Sequence, residues 1–269
     1  MLKKWIVLAA CVVSGWLLLP SKITLSSTQD ALAGFRNNNC VDCHSRARAS
    51  LQLTTKYAEW HMSLHRDKGI GCEKCHGGDA SAKEMVKAHV GMLPPKEVSS
   101  SLHAKNLPNT CGTCHKEIAN SFVESKHYQN LSSAGLGPSC NTCHAHMASE
   151  VIYLPDQAAK LCASCHDSTN ALLPKRPEIP GQAEETIQAL KRAKFVVSWA
   201  DRLLEQAQGK KMEVAEAARE MKVVRAMLAE SKISWHAFNL GVVRKKADAA
   251  FEEGTKVKDE LRKKLYPNS

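Results

Sequence analysis

The chain has 269 residues, with 37 lysines and arginines against 27 aspartates and glutamates, for a formal charge of +10. That balance ordinarily points to nucleic acid or an anionic surface, but no block of like charge is long enough for a nucleic-acid tail, so a nucleic-acid partner is set aside. Eleven cysteines are present, and their placement is the chain's most informative feature.

Residues 1–33 read as a signal peptide or an N-terminal membrane anchor. A basic head, Met1-Leu-Lys-Lys4, precedes the uncharged run Trp5 to Pro20. That run slightly exceeds a signal-peptide core of about 7–15 residues and falls short of the roughly 20 of a comfortable span. The small-x-small site Ala31-Leu-Ala33 lies well past its end, which favours the anchor. Cys11 sits in Leu8-Ala9-Ala10-Cys11, a lipoprotein-like box, but cutting there would leave too short an apolar core, so Cys11 reads as a cysteine of the run.

Residues 34–169 contain the pentapeptide Cys-x-x-Cys-His five times: Cys40/Cys43/His44, Cys72/Cys75/His76, Cys111/Cys114/His115, Cys140/Cys143/His144 and Cys162/Cys165/His166. Each is a signature of c-type haem attachment, two thiols bonding the porphyrin vinyl groups and the histidine taking the iron. Structural zinc needs four ligands, so motifs would have to pair, and five cannot pair evenly. A disulfide scaffold leaves the five histidines unexplained. The expectation is five covalently bound haem c groups. Their ten propionates account for the basic excess. With so little chain around each haem, the cofactors themselves must form the core, wrapped by short helices and irregular loops with little strand.

Seven histidines remain for the opposite side of the irons: His61, His65, His89, His103, His127, His146 and His236. The preferred set is His65, His89, His127, His146 and His236, with His61 and His103 as alternates. Three of the seven lie in Ser-x-His elements, at Ser63, Ser101 and Ser125. His146 follows His144 by two residues and must therefore serve a neighbouring haem. Bis-histidine ligation lacks the potential-raising effect of methionine, so low potentials are expected.

Residues 170–182, with Pro174, Pro177, Pro180 and Gly181, read as a linker. In 183–269 apolar residues recur at helical steps: Ile187, Leu190, Ala193, Val197, Ala200, Leu204 and Ala207, then, after a break at Gly209-Lys-Lys211, Val214, Ala217, Met221, Val224, Leu228, Ser231, Trp235, Phe238 and Val242. The pattern predicts an antiparallel helical hairpin, serving as a lid on the haem domain or as a homo-oligomer interface. His236 lies on or beside its apolar stripe and is read as an iron ligand in preference to a core histidine. The fold class is therefore mainly α, a haem-packed domain followed by a hairpin.

Trp60-His-Met-Ser63-Leu-His65 with Gly71-Cys72-Glu-Lys-Cys75-His76-Gly77-Gly78, and Asn109-Thr-Cys111 through His127 to Cys143-His144-Ala-His146, resemble the superfamily of hydroxylamine oxidoreductase, its tetrahaem acceptor cytochrome and pentahaem nitrite reductase. The resemblance covers residues 40–166. Every motif here ends in histidine, whereas the catalytic haem of the nitrite reductase uses a motif ending in lysine. A second resemblance, from the N-terminal segment and the early Ser-x-His element, is to NapC/NrfH-type membrane-anchored quinol dehydrogenases. Together these imply electron transfer to redox partner proteins in the periplasm or at the outer face of the inner membrane. The alternatives are an enzyme acting on a small nitrogen or sulfur species at one open haem, and quinol oxidation at the membrane.

Overall fold

The computed structural model describes residues 33–46, 51–146, 152 and 154–267, excepting the side chains of 51–54. The expected signal or anchor, Cys11 included, lies outside the described residues but for Ala33. Of an N-terminal unit, Met1–Gly34, only Ala33 and Gly34 are described. The second unit is Phe35–Ser269, and it holds the thirteen helices described next.

Among the described residues there are helices and no strand, as a mainly α chain requires. Ten short helices come first: α1 (Asn39–Arg46), α2 (Leu51–His61), α3 (Leu64–Asp67), α4 (Glu73–His76), α5 (Met85–Ala88), α6 (Leu107–Gly112), α7 (Lys116–Val123), α8 (Lys126–Ala134), α9 (Cys140–His144) and α10 (Pro155–His166). Three long ones follow: α11 (Ile179–Gly209), α12 (Ala215–Trp235) and α13 (Leu240–Leu265).

The short helices bury few apolar side chains of their own, chiefly Phe35, Val41, Trp60, Phe122, Leu131 and Ala158. Trp60 organises one group of them. Its ring meets Phe35 edge-on at 5.0 Å, and its indole N–H donates to Ile70 O at 2.9 Å, tying the end of α2 to the loop before α4. Gly78 (φ 82°) allows a close approach that no side chain would, because a Cβ there would lie 2.4 Å from Ala88 O. Asp79 N–H donates to that carbonyl at 3.0 Å and Asn39 N–H to Ala80 O at 2.7 Å, so the end of α5 is drawn against the start of α1.

The tail has a core of its own. Ala189, Ala193, Val196, Val197, Ala200 and Leu204 of α11 pack on Met221, Val224 and Leu228 of α12 and on Ala247, Ala250, Val257 and Leu261 of α13. Burying a Val, Leu or Met side chain fully contributes about 1.5–3 kcal/mol, so this bundle is where the polypeptide alone supplies most of its stability. The hairpin expected from periodicity is corrected here to three helices. The apolar repeat predicts one long second helix through Val242, but the chain turns at 236–239, with Phe238 at φ 57° and Asn239 Oδ1 accepting from Val242 N–H to start α13. The register shifts accordingly, leaving Val242 exposed and Val243 fully buried. The Pro-rich stretch also ends earlier than expected, since Pro180 lies in the first turn of α11, a place that proline tolerates.

α10 packs on α11, and α7 on α12, where Ser121 Oγ donates to Ile233 O at 2.8 Å. Among the described residues no helix is long and apolar enough to cross a membrane.

Candidate functional site

Each Cys-x-x-Cys-His motif forms a helical turn, the histidine N–H reaching back to the first cysteine carbonyl, as in His76 to Cys72 and His115 to Cys111, both 2.9 Å. Residues three and four apart on a helix share a face, so both thiols and the imidazole are offered to one side. No disulfide joins the ten described cysteines. Motifs adjacent in sequence are adjacent in space. Cys72 lies within electrostatic range of Cys40, Cys75 of Cys111 and Cys114, Cys111 of Cys140, and Cys143 of Cys162. Burial pushes the thiols of Cys72 and Cys143 up to about 11.

The two thiols of a motif are not equally enclosed. Cys43, Cys114 and Cys165, the second cysteines of the first, third and fifth motifs, are exposed, whereas Cys40, Cys72, Cys75, Cys111, Cys140, Cys143 and Cys162 are half-buried. The Cys165 sulfur lies 3.9 Å from the Ser164 hydroxyl and the Cys114 sulfur 3.8 Å from the Thr113 hydroxyl. An exposed thiol still shares the helical face of its histidine, so Cys43 and Cys165 fit attachment at a haem edge and not in a sealed interior.

Four motif histidines face a second imidazole from elsewhere in the chain. The ring centroids are 6.1 Å apart for His44 and His89, 6.2 Å for His65 and His115, 6.0 Å for His127 and His166, and 6.2 Å for His144 and His236. Two metal–nitrogen bonds of about 2.0 Å plus the two half-rings come to about 6 Å, which is the span of two imidazoles on opposite sides of one metal atom. The fifth motif histidine, His76, has its pKa lowered by burial and then by the nearby His146 and His44. Burial likewise lowers His127 to about 4, with His166 adding to the effect, and it lowers His144, His146 and His236. These groups are therefore neutral at pH 7, the form in which imidazole binds metal.

Helix starts position two of these partners. Ser63 and Ser125 are the N-cap residues of α3 and α8, their hydroxyls accepting from the N–H of Arg66 at 3.4 Å and of Tyr128 at 3.0 Å. The Ser-x-His spacing thus sets His65 and His127 on the second residue of a capped helix. The third element differs. Ser101 caps no helix; its hydroxyl donates to Cys75 O at 2.7 Å, and His103 Nδ1 accepts from Lys105 N–H at 3.4 Å. Among the described residues His103 pairs with no imidazole, and neither does His61, which stacks on Tyr57 at 5.8 Å with its Nδ1 buried.

The loop between α12 and α13 reaches the site twice. It sets His236 opposite His144, and it lays the Phe238 ring edge-on against His127 at 4.2 Å. Sequence reasoning missed Phe238, reading it as one more residue of a helical stripe; only its left-handed backbone turns the ring out of that stripe. Glu59 was missed as well. Its Oε2 accepts from His146 Nδ1 at 2.6 Å.

Residues 20–77 match the family described as cytochrome c554 and c-prime, and residues 96–186 match cytochrome c7 and related cytochrome c. The chain is a multihaem c-type cytochrome. Among its relatives is the C-type polyheme cytochrome OmcC of Geobacter sulfurreducens, 26% identical over 111 residues, covering 41% of this chain and 14% of that protein. OmcB of the same organism is 26% identical over 155 residues, 55% of this chain and 19% of that protein. The chain thus spans less than a fifth of the length of these relatives. No solved structure matches.

A multihaem cytochrome c holds its haem covalently and transfers electrons, and the residues present fit that cofactor. Paired thiols stand beside each motif histidine, and opposed imidazoles leave room for one metal atom. Met62 and Leu64, beside His65, and Met85 and Val86, near His89, are each at least 75% exposed. That is an apolar surface of the kind a porphyrin face covers. Among the described residues no cluster of three or more His, Cys, Asp or Glu side chains is arranged to hold a metal ion.

Proposed function

We propose that this cytochrome is a five-haem electron conduit in which each iron is held between two imidazoles: His44 and His89, His76 and His146, His115 and His65, His144 and His236, His166 and His127. The facing of four motif histidines by four others at 6.0–6.2 Å carries the reading. Bound haem c supplies one-electron chemistry at iron. The chain's own residues do the rest. The paired thiols would attach each haem and the facing imidazoles would ligate its iron, and the nearness of Cys72 to Cys40, Cys75 to Cys111, Cys111 to Cys140 and Cys143 to Cys162 would set the attachment sites in chain order.

With all axial positions filled by protein, small molecules have no iron to bind, and the partners are redox proteins that meet the haem edges. Haem c is attached outside the cytoplasm, which together with the N-terminal basic and apolar segment supports a periplasmic location. Docking of α12 on α7 through Ser121 and Ile233, with delivery of His236, supports the lid role for the tail.

The test is the intact mass of protein from a maturation-competent host, together with the electron paramagnetic resonance spectrum of the oxidised protein. Five haem masses and five low-spin ferric centres are expected. Four or fewer haems at full occupancy, or a high-spin centre in the native protein, overturns the reading.

A further inference from the structure

The Nδ1 atoms of four of the proposed ligand histidines are held in chemically different ways. His89 Nδ1 donates to Met85 O at 2.7 Å, His236 Nδ1 to Lys232 O at 3.0 Å, and His166 Nδ1 to Pro174 O at 3.2 Å. His146 Nδ1 alone among these donates to a carboxylate, Oε2 of Glu59, at 2.6 Å. Both side chains are half-buried, 29% and 24% exposed. Glu59 also accepts from Lys56 Nζ at 3.0 and 3.1 Å.

From this difference we infer that Glu59 tunes one site of the conduit, holding the reduction potential at the His76–His146 site below those at the sites served by His89 and His236. The inference rests on the proposed bis-imidazole ligation, with His76 and His146 as the two axial ligands of one haem. A carboxylate accepting the outer N–H of a metal-bound imidazole draws that proton away and raises the basicity of the ligating nitrogen. Ferric iron carries one more positive charge than ferrous and gains more from the stronger donor, so the oxidised state is favoured. A backbone carbonyl bears no net charge and does this more weakly. The short, 2.6 Å bond and the half-burial of both side chains reduce solvent screening of the effect in part. Lys56 opposes it by sharing the carboxylate charge. Glu59 is a positioning and tuning residue, acting through His146 and touching neither iron nor substrate. As a consequence this site is the last of the three to accept an electron and passes one on most readily.

The experiment is a redox titration of the full, haem-loaded chain, followed by visible and paramagnetic resonance spectra, on wild type, Glu59→Gln, Glu59→Leu and Lys56→Met. Glu59→Gln keeps an acceptor but removes the charge. It should raise one midpoint, changing the reduced-to-oxidised ratio at fixed potential about tenfold, about 59 mV for a one-electron couple. Glu59→Leu should raise the same midpoint further, and Lys56→Met should move it downward, with all five centres remaining low-spin. Opposite signs for the two neighbours are not what a merely structural role produces. Unmoved midpoints in both Glu59 variants, or an equal shift of all five, overturns the inference. His146→Ala separates the ligand assignment from the tuning role. If every centre stays low-spin, the ligand assignment fails and this inference with it. If one centre turns high-spin while the Glu59 variants move nothing, the tuning role alone falls.

Discussion

The imidazoles of His144 and His236 lie within 7° of parallel at 6.2 Å, whereas the other three facing pairs cross at 64–77°. Two parallel imidazoles on one iron donate into the same d orbital and split the π set widely. Crossed ones donate into different orbitals, and their splittings cancel. The oxidised protein should therefore show one rhombic low-spin signal from the His144–His236 site beside three strongly anisotropic ones. Power-resolved spectra at liquid-helium temperature check this, and His236→Ala should abolish the rhombic signal specifically.

Carbon monoxide reports open irons. Added to the reduced wild-type protein it should leave the haem absorption nearly unchanged. After His236→Ala it should bind one equivalent per chain. His61→Ala and His103→Ala should bind none, because neither residue faces an imidazole in the fold. Stoichiometric binding by the wild type, with turnover of nitrite or hydroxylamine, would instead support an enzyme.

Ser125→Ala removes the hydroxyl that accepts from Tyr128 N–H at the start of α8. Loss of such a cap costs about 1 kcal/mol, and Ser63→Ala should cost a similar amount at α3. Denaturant unfolding of the haem-loaded protein measures both. Ser101→Ala, which caps no helix, should cost less than either.

Phe238 holds a left-handed backbone, φ 57°, while its ring packs on His127. Phe238→Ala loses the ring and keeps the strain; Phe238→Gly loses the ring and relieves it. The glycine variant should be the more stable of the two by about 1 kcal/mol or more, as read from unfolding midpoints at equal slope. Equal midpoints would mean that the turn imposes no strain on an L residue.

Arg225 contacts Asp201 at 2.6 and 2.9 Å between α12 and α11, and Arg244 contacts Glu185 at 2.6 Å between α13 and α11. Both pairs are solvent-accessible, so Arg225→Ala and Arg244→Ala should each destabilise by less than about 1 kcal/mol, and less still in high salt. A thermal shift as large as that from truncating Met221, which is fully buried in the bundle, would contradict this.

The attachment sites are legible in the sequence because their chemistry is local. Two thiols and an imidazole at offsets of three and four lie on one helical turn whatever surrounds them. How deep each thiol lies is not local, so the exposure of Cys43 and Cys165 beside half-buried Cys40 and Cys162 could not be read from five identical motifs. The tail's apolar repeat is legible for the same reason as the motifs, and Ile187 through Leu228 fall at the positions that the bundle buries. The repeat could not show where the second helix ends, because Phe238 and Val242 keep the helical spacing while the backbone leaves it. Nor could it choose between Ser101-Leu-His103 and the two other Ser-x-His elements. The pattern is the same in all three, but only Ser63 and Ser125 begin a helix. Which imidazole faces which motif histidine is decided wholly by tertiary structure. His65 lies near the second motif in sequence yet faces His115 of the third, and His236 comes from the far end of the chain to face His144. Glu59 and His146 meet only because α2 and the end of the α9 segment are brought together. Spacing along the chain determines chemistry within one helical turn; across a core built on cofactors, partner choice depends on how the short helices close around them.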